Sequence, residues 1–138
     1  MDQAGRDKED SCMKILVIED NPINLKLVRD FLRNTDYELF SSNNAEQGVE
    51  IAKTEQPDLI LMDIRMPKLD GLAATRMLKR DDLTKHIKVV AVTAYAMKGD
   101  RERILAAGCD GYLAKPFLHK EFIDLIRSFD PAHSDGRE

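Results

Sequence analysis

The stretch Asp58-Leu59-Ile60-Leu61-Met62-Asp63-Ile64-Arg65-Met66-Pro67-Lys68-Leu69-Asp70-Gly71 decides how this chain is read. Leu59, Ile60, Leu61 and Met62 have the length and apolar density of a strand buried on both faces. The run stops at one acid, Asp63, and a Pro-containing connection leads on to Gly71. A carboxylate at the end of such a strand is held by a rigid element yet projects at the edge of a sheet. The question is what other groups the chain delivers to the same edge.

Working outward, strands and helices alternate. Lys14, Ile15, Leu16, Val17 and Ile18 read as a first buried strand, followed at once by Glu19 and Asp20. Asn21 and Pro22 have the form of a helix start, with Asn as cap and Pro at the first helical position. Ile23, Leu27, Val28, Phe31 and Leu32 recur at helical spacing. Residues 37–40 suit a short edge strand. Residues 45–54 suit a helix with Val49, Ile51 and Ala52 inward, ended by Gln56 and Pro57. Beyond the opening stretch, Leu72, Ala73, Met77 and Leu78 predict a third helix. Residues 88–92 predict a fourth strand ending at Thr93. Residues 96–107 predict a helix stopped by Gly108. Residues 112–114 make a fifth strand ending at Lys115 and Pro116. Residues 119–129 give a last amphipathic helix through Phe122, Ile123, Leu125 and Ile126.

Five such repeats with short loops mean a parallel sheet with helices on both faces, doubly wound by right-handed crossovers. The expected fold is α/β, a flavodoxin-like (βα)5 sandwich with strand order 2-1-3-4-5, the two less apolar strands at its edges. At 138 residues the chain suits one domain. The expected division is a disordered leader over 1–12, the domain over 13–129 and a polar tail over 130–138.

A net charge of −4 argues against general nucleic-acid binding. No apolar run nears the roughly 20 residues that span a bilayer. The polar start lacks the form of a signal peptide. Cys12 and Cys109 show neither metal nor redox spacing, and Cys109 reads as a small packed residue. The expected compartment is the reducing cytoplasm.

In a parallel sheet all strand ends that carry Glu19, Asp20, Asp63, Thr93 and Lys115 lie on one side. Ligands of open α/β sheets bind there, at the switch point between strands one and three. Three crowded carboxylates repel, so either some protonate or a cation joins them. Oxygen ligands without His or Cys favour Mg²⁺. A cation, the Lys115 ammonium and the Thr93 hydroxyl around one carboxylate suit a phosphoryl group, with Asp63 as nucleophile. Singly, each residue has an ordinary explanation: Asp20 a helix cap, Asp63 a loop acid, Thr93 a strand-end hydroxyl, Lys115-Pro116 a turn. Their joint placement at successive strand ends does not.

The segments Ile18-Glu19-Asp20-Asn21, Leu61 through Gly71, Val90-Ala91-Val92-Thr93-Ala94 and Gly111-Tyr112-Leu113-Ala114-Lys115-Pro116 resemble the response-regulator receiver domains of two-component signalling. The resemblance covers about 14–127, and within the family it is nearest to stand-alone receivers of the DivK type. It implies that Asp63 accepts a phosphoryl group from a histidine kinase or histidine phosphotransfer protein. It implies that Asp20, Asp63 and the backbone carbonyl of Arg65 ligate Mg²⁺, with Glu19 acting through a metal-bound water. Lys115 would pair with the phosphoryl oxygens and Thr93 would swing in to hydrogen-bond them. Tyr112 would follow from an outward to a buried rotamer, and the bond before Pro116 would be cis. Ala94 would leave an opening to the site, while Arg65 and Tyr95 would flank it and slow attack by water.

The implied readout surface is helix four, strand five and helix five, through Met97, Lys98, Arg101, Tyr112, His119 and Phe122. The start of helix one would dock the phosphodonor. With only a polar tail after Phe129, output is expected through a downstream signalling protein rather than DNA, from a monomer or a phosphorylation-dependent dimer. Two other readings compete. One is a receiver excised from a hybrid histidine kinase. The other is an Asp-nucleophile phosphatase, against which Arg65 counts, standing where that class carries a second acid.

Overall fold

The computed structural model describes residues 13–64, 70–94 and 98–131. The expected leader over 1–12, Arg65, Tyr95, Met97, the side chain of Lys98 and the last residues of the expected tail lie outside the described residues.

Strands and helices alternate through the chain: β1 (Lys14–Ile18), α1 (Pro22–Phe31), β2 (Glu38–Ser42), α2 (Ala45–Glu55), β3 (Leu59–Asp63), α3 (Gly71–Arg80), β4 (Lys88–Thr93), α4 (Lys98–Ala106), β5 (Gly111–Ala114) and α5 (His119–Ser128). The five strands form one parallel sheet in the order β2-β1-β3-β4-β5. This is the doubly wound arrangement expected from the alternation.

Period-two side-chain alternation splits each inner strand between two cores. Leu16, Ile18, Ile60, Met62, Val89 and Ala91 pack with residues of α2, α3 and α4, including Val49, Leu78 and Ile104. Ile15, Val17, Leu59, Leu61, Val90 and Val92 pack with Val28, Phe122 and Ile126 of α1 and α5. Every residue of β3 is buried, as its unbroken apolarity predicts.

Helix starts follow local chemistry. Asn21 accepts a hydrogen bond from the Ile23 amide at 2.8 Å, with Pro22 opening α1. Asn44 caps α2 through the Gln47 amide at 2.7 Å, and Asp70 caps α3 through the Ala73 amide at 2.8 Å. Gln56 ends α2 at φ 51°, and its side-chain amide donates to the Leu83 carbonyl at 2.9 Å. Gly108 follows α4 at φ 104°, a conformation that favours glycine.

Several sequence expectations are corrected. The second strand runs to Ser42 because Ser41 and Ser42 pair with Val17 and Ile18, so backbone pairing carries it past its apolar residues. In α1, Ile23 is 76% exposed and Leu27 is also exposed, while Val28 and Leu32 turn inward. The first turn of α1 stands beyond the end of the sheet, where no core remains to cover it. In α3, Met77 is 46% exposed, and Ala74 and Thr75 take the inward face with Leu72 and Leu78. Asp130 is not simple tail: it is buried and accepts a 2.8 Å hydrogen bond from the Tyr37 hydroxyl. Cys109 is buried and free, as a packing residue should be.

Candidate functional site

The carboxyl ends of β1 and β3, adjacent in the sheet, bring three acids together. One ligand oxygen from each of Glu19, Asp20 and Asp63 lies within 4.8 Å of the others. Glu19 and Asp63 are each only 5% exposed, while Asp20 is open to solvent. Asp63 is the last residue of β3, registered against Val92, and the Ile64 amide donates to the Val92 carbonyl at 3.3 Å. This pairing fixes the backbone on which the Asp63 side chain stands.

Glu19 is held from two sides. Its Oε2 accepts from the Asn21 amide at 3.2 Å and from the Asn24 side chain at 3.5 Å, while Lys115 Nζ stands 3.4 Å from its Oε1. Thr93 is buried at the end of β4, and its carbonyl accepts from the Lys115 amide at 2.7 Å. That bond ties the hydroxyl-bearing and ammonium-bearing strand ends together. The Lys115–Pro116 peptide is cis.

Two further features position the site: in sequence Gly71 is marked only as the end of the connection, and Phe117 is not marked. Gly71 is required by contact: a Cβ there would meet the Asp63 carbonyl oxygen at 2.5 Å and Ile64 Cα at 2.6 Å. The start of α3 therefore presses on the backbone that carries the acid. Phe117 is buried directly after Pro116, stacked on Phe122 at 5.5 Å and edge-on to Phe31 at 6.0 Å. The aromatic cluster anchors the segment that carries Lys115. An apolar residue following a strand-end Lys-Pro is the available sequence signal for it. A cleft opens beside Asp63 and Lys115, walled by Val17, Leu27, Val28 and Phe117.

Among the described residues, the expected readout set is not gathered in one place. Arg101 and Tyr112 meet: the guanidinium donates to the Tyr112 hydroxyl at 2.7 and 3.1 Å and stands 5.3 Å from its ring centre. His119 is exposed and lies against α1, its Nε2 3.3 Å from the Phe31 carbonyl and its ring 4.9 Å from the Phe31 ring. Phe122 is corrected outright as a surface residue. It is fully buried under α5, because the helix turns its apolar stripe, Phe122, Ile123 and Ile126, onto the sheet.

Chemically, the donor set fits a hard divalent cation. The converging ligands are all carboxylate oxygens, and among the described residues no His or Cys joins them. Burial of two like charges at this spacing is unfavourable by itself, and a cation relieves it. Among the described residues, no helix is long and apolar enough to cross a membrane.

Comparison with known proteins agrees with this geometry. The family described as response regulator receiver domain matches residues 15–127. The polar-differentiation response regulator DivK of Brucella anthropi is 45% identical over 115 residues, 83% of this chain and 94% of that protein. DivK of Brucella ovis is 44% identical over the same shares. Among solved structures, the receiver domain of a sensor histidine kinase from Pseudomonas aeruginosa is similar with a TM-score of 0.79 and 37% identity. That alignment covers 86% of this chain and 97% of the other, and the structure holds a magnesium ion coordinated in its active-site cleft. The receiver domain of a signal transduction histidine kinase from Syntrophus aciditrophicus is similar with a TM-score of 0.80 and 27% identity, covering 88% of this chain and 92% of that one. With strand order, acid cluster and family match in agreement, this chain belongs to the response regulator receiver family.

Proposed function

We propose that this protein is a phosphorylation-driven signalling switch whose phosphoacceptor is Asp63. The observation that carries the reading is the convergence of Glu19, Asp20 and Asp63 within 4.8 Å, with Lys115 and Thr93 brought to the same edge by β5 and β4. An Asp63 carboxylate oxygen attacks the phosphorus of a phosphohistidine on a kinase or phosphotransfer protein. The P–N bond breaks, its electron pair stays on the imidazole nitrogen, and that nitrogen takes a proton from solvent. An aspartyl phosphate remains on Asp63.

Asp20, Asp63 and the Arg65 carbonyl would hold Mg²⁺ directly, and Glu19 would hold it through water. When bound, the ion neutralises charge on the carboxylates and on the transferring phosphoryl oxygens. Lys115, tethered at Glu19 and braced by Phe117, is positioned to exchange its contact for a phosphoryl oxygen. Thr93 supplies a hydroxyl from the next strand end. Both contacts exist only in the phosphorylated arrangement, so they set an upper limit on the population shift. By the family resemblance Arg65 and Tyr95 would slow the return reaction with water, and Arg65→Ala should therefore shorten the lifetime of the aspartyl phosphate. Output passes to a protein partner in the cytoplasm, with Tyr112 as the reporter of the site's state.

The match to DivK, over 94% of its length, supports a receiver of the DivK type. The likeness to a kinase-borne receiver supports the second reading, a module of a hybrid histidine kinase. The test is phosphorylation by acetyl phosphate, followed by intact mass. Wild type with Mg²⁺ should gain one phosphoryl group, and Asp63→Asn, or wild type with excess chelator, should gain none. Equal labelling of Asp63→Asn overturns the assignment.

A further inference from the structure

Helix α4 carries two arginines with described side chains, and they are used differently. Arg103 pairs with Asp100 on its own helix. Arg101 reaches across to the edge strand, where both Nε and Nη2 donate to the Tyr112 hydroxyl and the guanidinium lies over the ring. Tyr112 is half-buried, with its ring packed on the core beneath α4 and its hydroxyl end at the surface. It pairs with Ala91, and two residues further along the same strands Ala114 pairs with Thr93. Tyr112 and Ala114 share one face of β5 by the strand's period of two.

We propose that Arg101 is a latch that holds Tyr112 in its outward position and thereby opposes activation. The inference rests on the reading of Tyr112 as a switch and adds the element that sets its resting position. Rotation of the ring toward Thr93 carries the hydroxyl away from α4, so the two donated bonds and the stacked guanidinium contact are lost together. Phosphorylation shifts the protein only by the difference between contacts formed at the site and contacts surrendered here. Arg101 is therefore a positioning residue whose guanidinium, at the surface, is engaged by Tyr112 in the resting state and is freed when Tyr112 turns in. One contact thus couples the site to the composition of the α4 surface.

The experiment titrates beryllofluoride, a phosphoryl mimic, into the full chain with Mg²⁺, reads its binding in every variant from backbone amide signals by NMR, and follows the ¹³C-labelled Tyr112 ring signals in the variants that keep the tyrosine. Wild type, Arg101→Ala, Arg101→Lys, Tyr112→Phe and the double variant Arg101→Ala/Tyr112→Phe are compared. Arg101→Ala should tighten apparent beryllofluoride binding roughly threefold, the scale of one partly exposed hydrogen bond. In the free protein it should shift the Tyr112 ring signals toward their bound positions. Arg101→Lys should restore part of the wild-type behaviour. With Tyr112→Phe as background, Arg101→Ala should change almost nothing. If wild type titrates normally and Arg101→Ala matches it, or if the same tightening persists without the Tyr112 hydroxyl, the latch is overturned alone. If wild type takes up no beryllofluoride, the phosphoacceptor reading fails and the latch falls with it.

Discussion

The two ends of the sheet treat acidic residues in opposite ways. At the amino end of the strands, acids are matched to donors. Asp58 accepts from the Lys14 amide at 2.8 Å. Asp110 accepts from Lys79 Nζ and from the Val89 amide, both at 2.9 Å, while the same ammonium reaches the Ile87 carbonyl. Asp130 closes the C-terminal end of α5 onto the start of β2 through Tyr37. At the carboxyl end, three carboxylates converge within 4.8 Å of one another, and the Lys115 ammonium stands 3.4 Å from one of them, Glu19. The first arrangement holds the fold together. The second holds a surplus of negative charge in place and is suited to cations and phosphoryl groups. Substituting an acid should therefore have opposite effects on stability at the two ends.

The largest effect is expected where packing and site meet. Gly71→Ala forces a methyl group into the Asp63 carbonyl and Ile64 backbone, and should cost about 3 kcal/mol in urea unfolding, with reduced acetyl-phosphate labelling. Unchanged stability would show that α3 does not press on the site. Next, Asp110→Ala should cost about 2 kcal/mol, since it strands the Val89 amide and the Lys79 ammonium. Asp63→Asn should do the reverse in metal-free buffer, raising stability by about 1 kcal/mol. Adding Mg²⁺ to tenfold its Kd should stabilise wild type by about 1.4 kcal/mol and Asp63→Asn by much less. A loss of stability on Asp63→Asn without metal would break the contrast between the two ends.

The smallest effect concerns Tyr37. Burial, and then its bond to Asp130, push its phenol from about 10 up to about 12. The fold favours the neutral phenol, so this contribution is complete below pH 10 and is lost as pH rises toward 12. Solvent screening keeps it below about 1 kcal/mol. The stability gap between wild type and Tyr37→Phe should narrow across that window, and a constant gap would show that the phenol does not contribute in this way.

Much of the molecule was legible in residue order. Continuous apolar runs marked the inner strands, and Asn21-Pro22 and Gly108 marked helix ends, because these signals depend on neighbours a few positions apart. The placement of Glu19, Asp20, Asp63, Thr93 and Lys115 at one edge followed from parallel topology alone. Helix faces were less legible. Ile23 and Met77 fit an apolar stripe by spacing, yet each stands where no core covers it. Phe122 has the character of an interface residue, but Phe31, far from it in sequence, and Phe117, just ahead of its helix, enclose it. Spacing reports which side chains share a face and cannot report where the opposing layer ends.

By itself, then, the sequence determined the alternation of elements, the strand order and the edge at which the reactive groups assemble. These depend on local conformational preference and on the handedness of crossovers. Tertiary structure decided how those groups are held. It set Lys115 against Glu19, pressed Gly71 onto the backbone of Asp63, buried Phe117 behind Pro116 and joined Arg101 to Tyr112. Only the first joins segments far apart in the chain, but each is fixed by packing distances of a few ångströms that no residue pattern encodes.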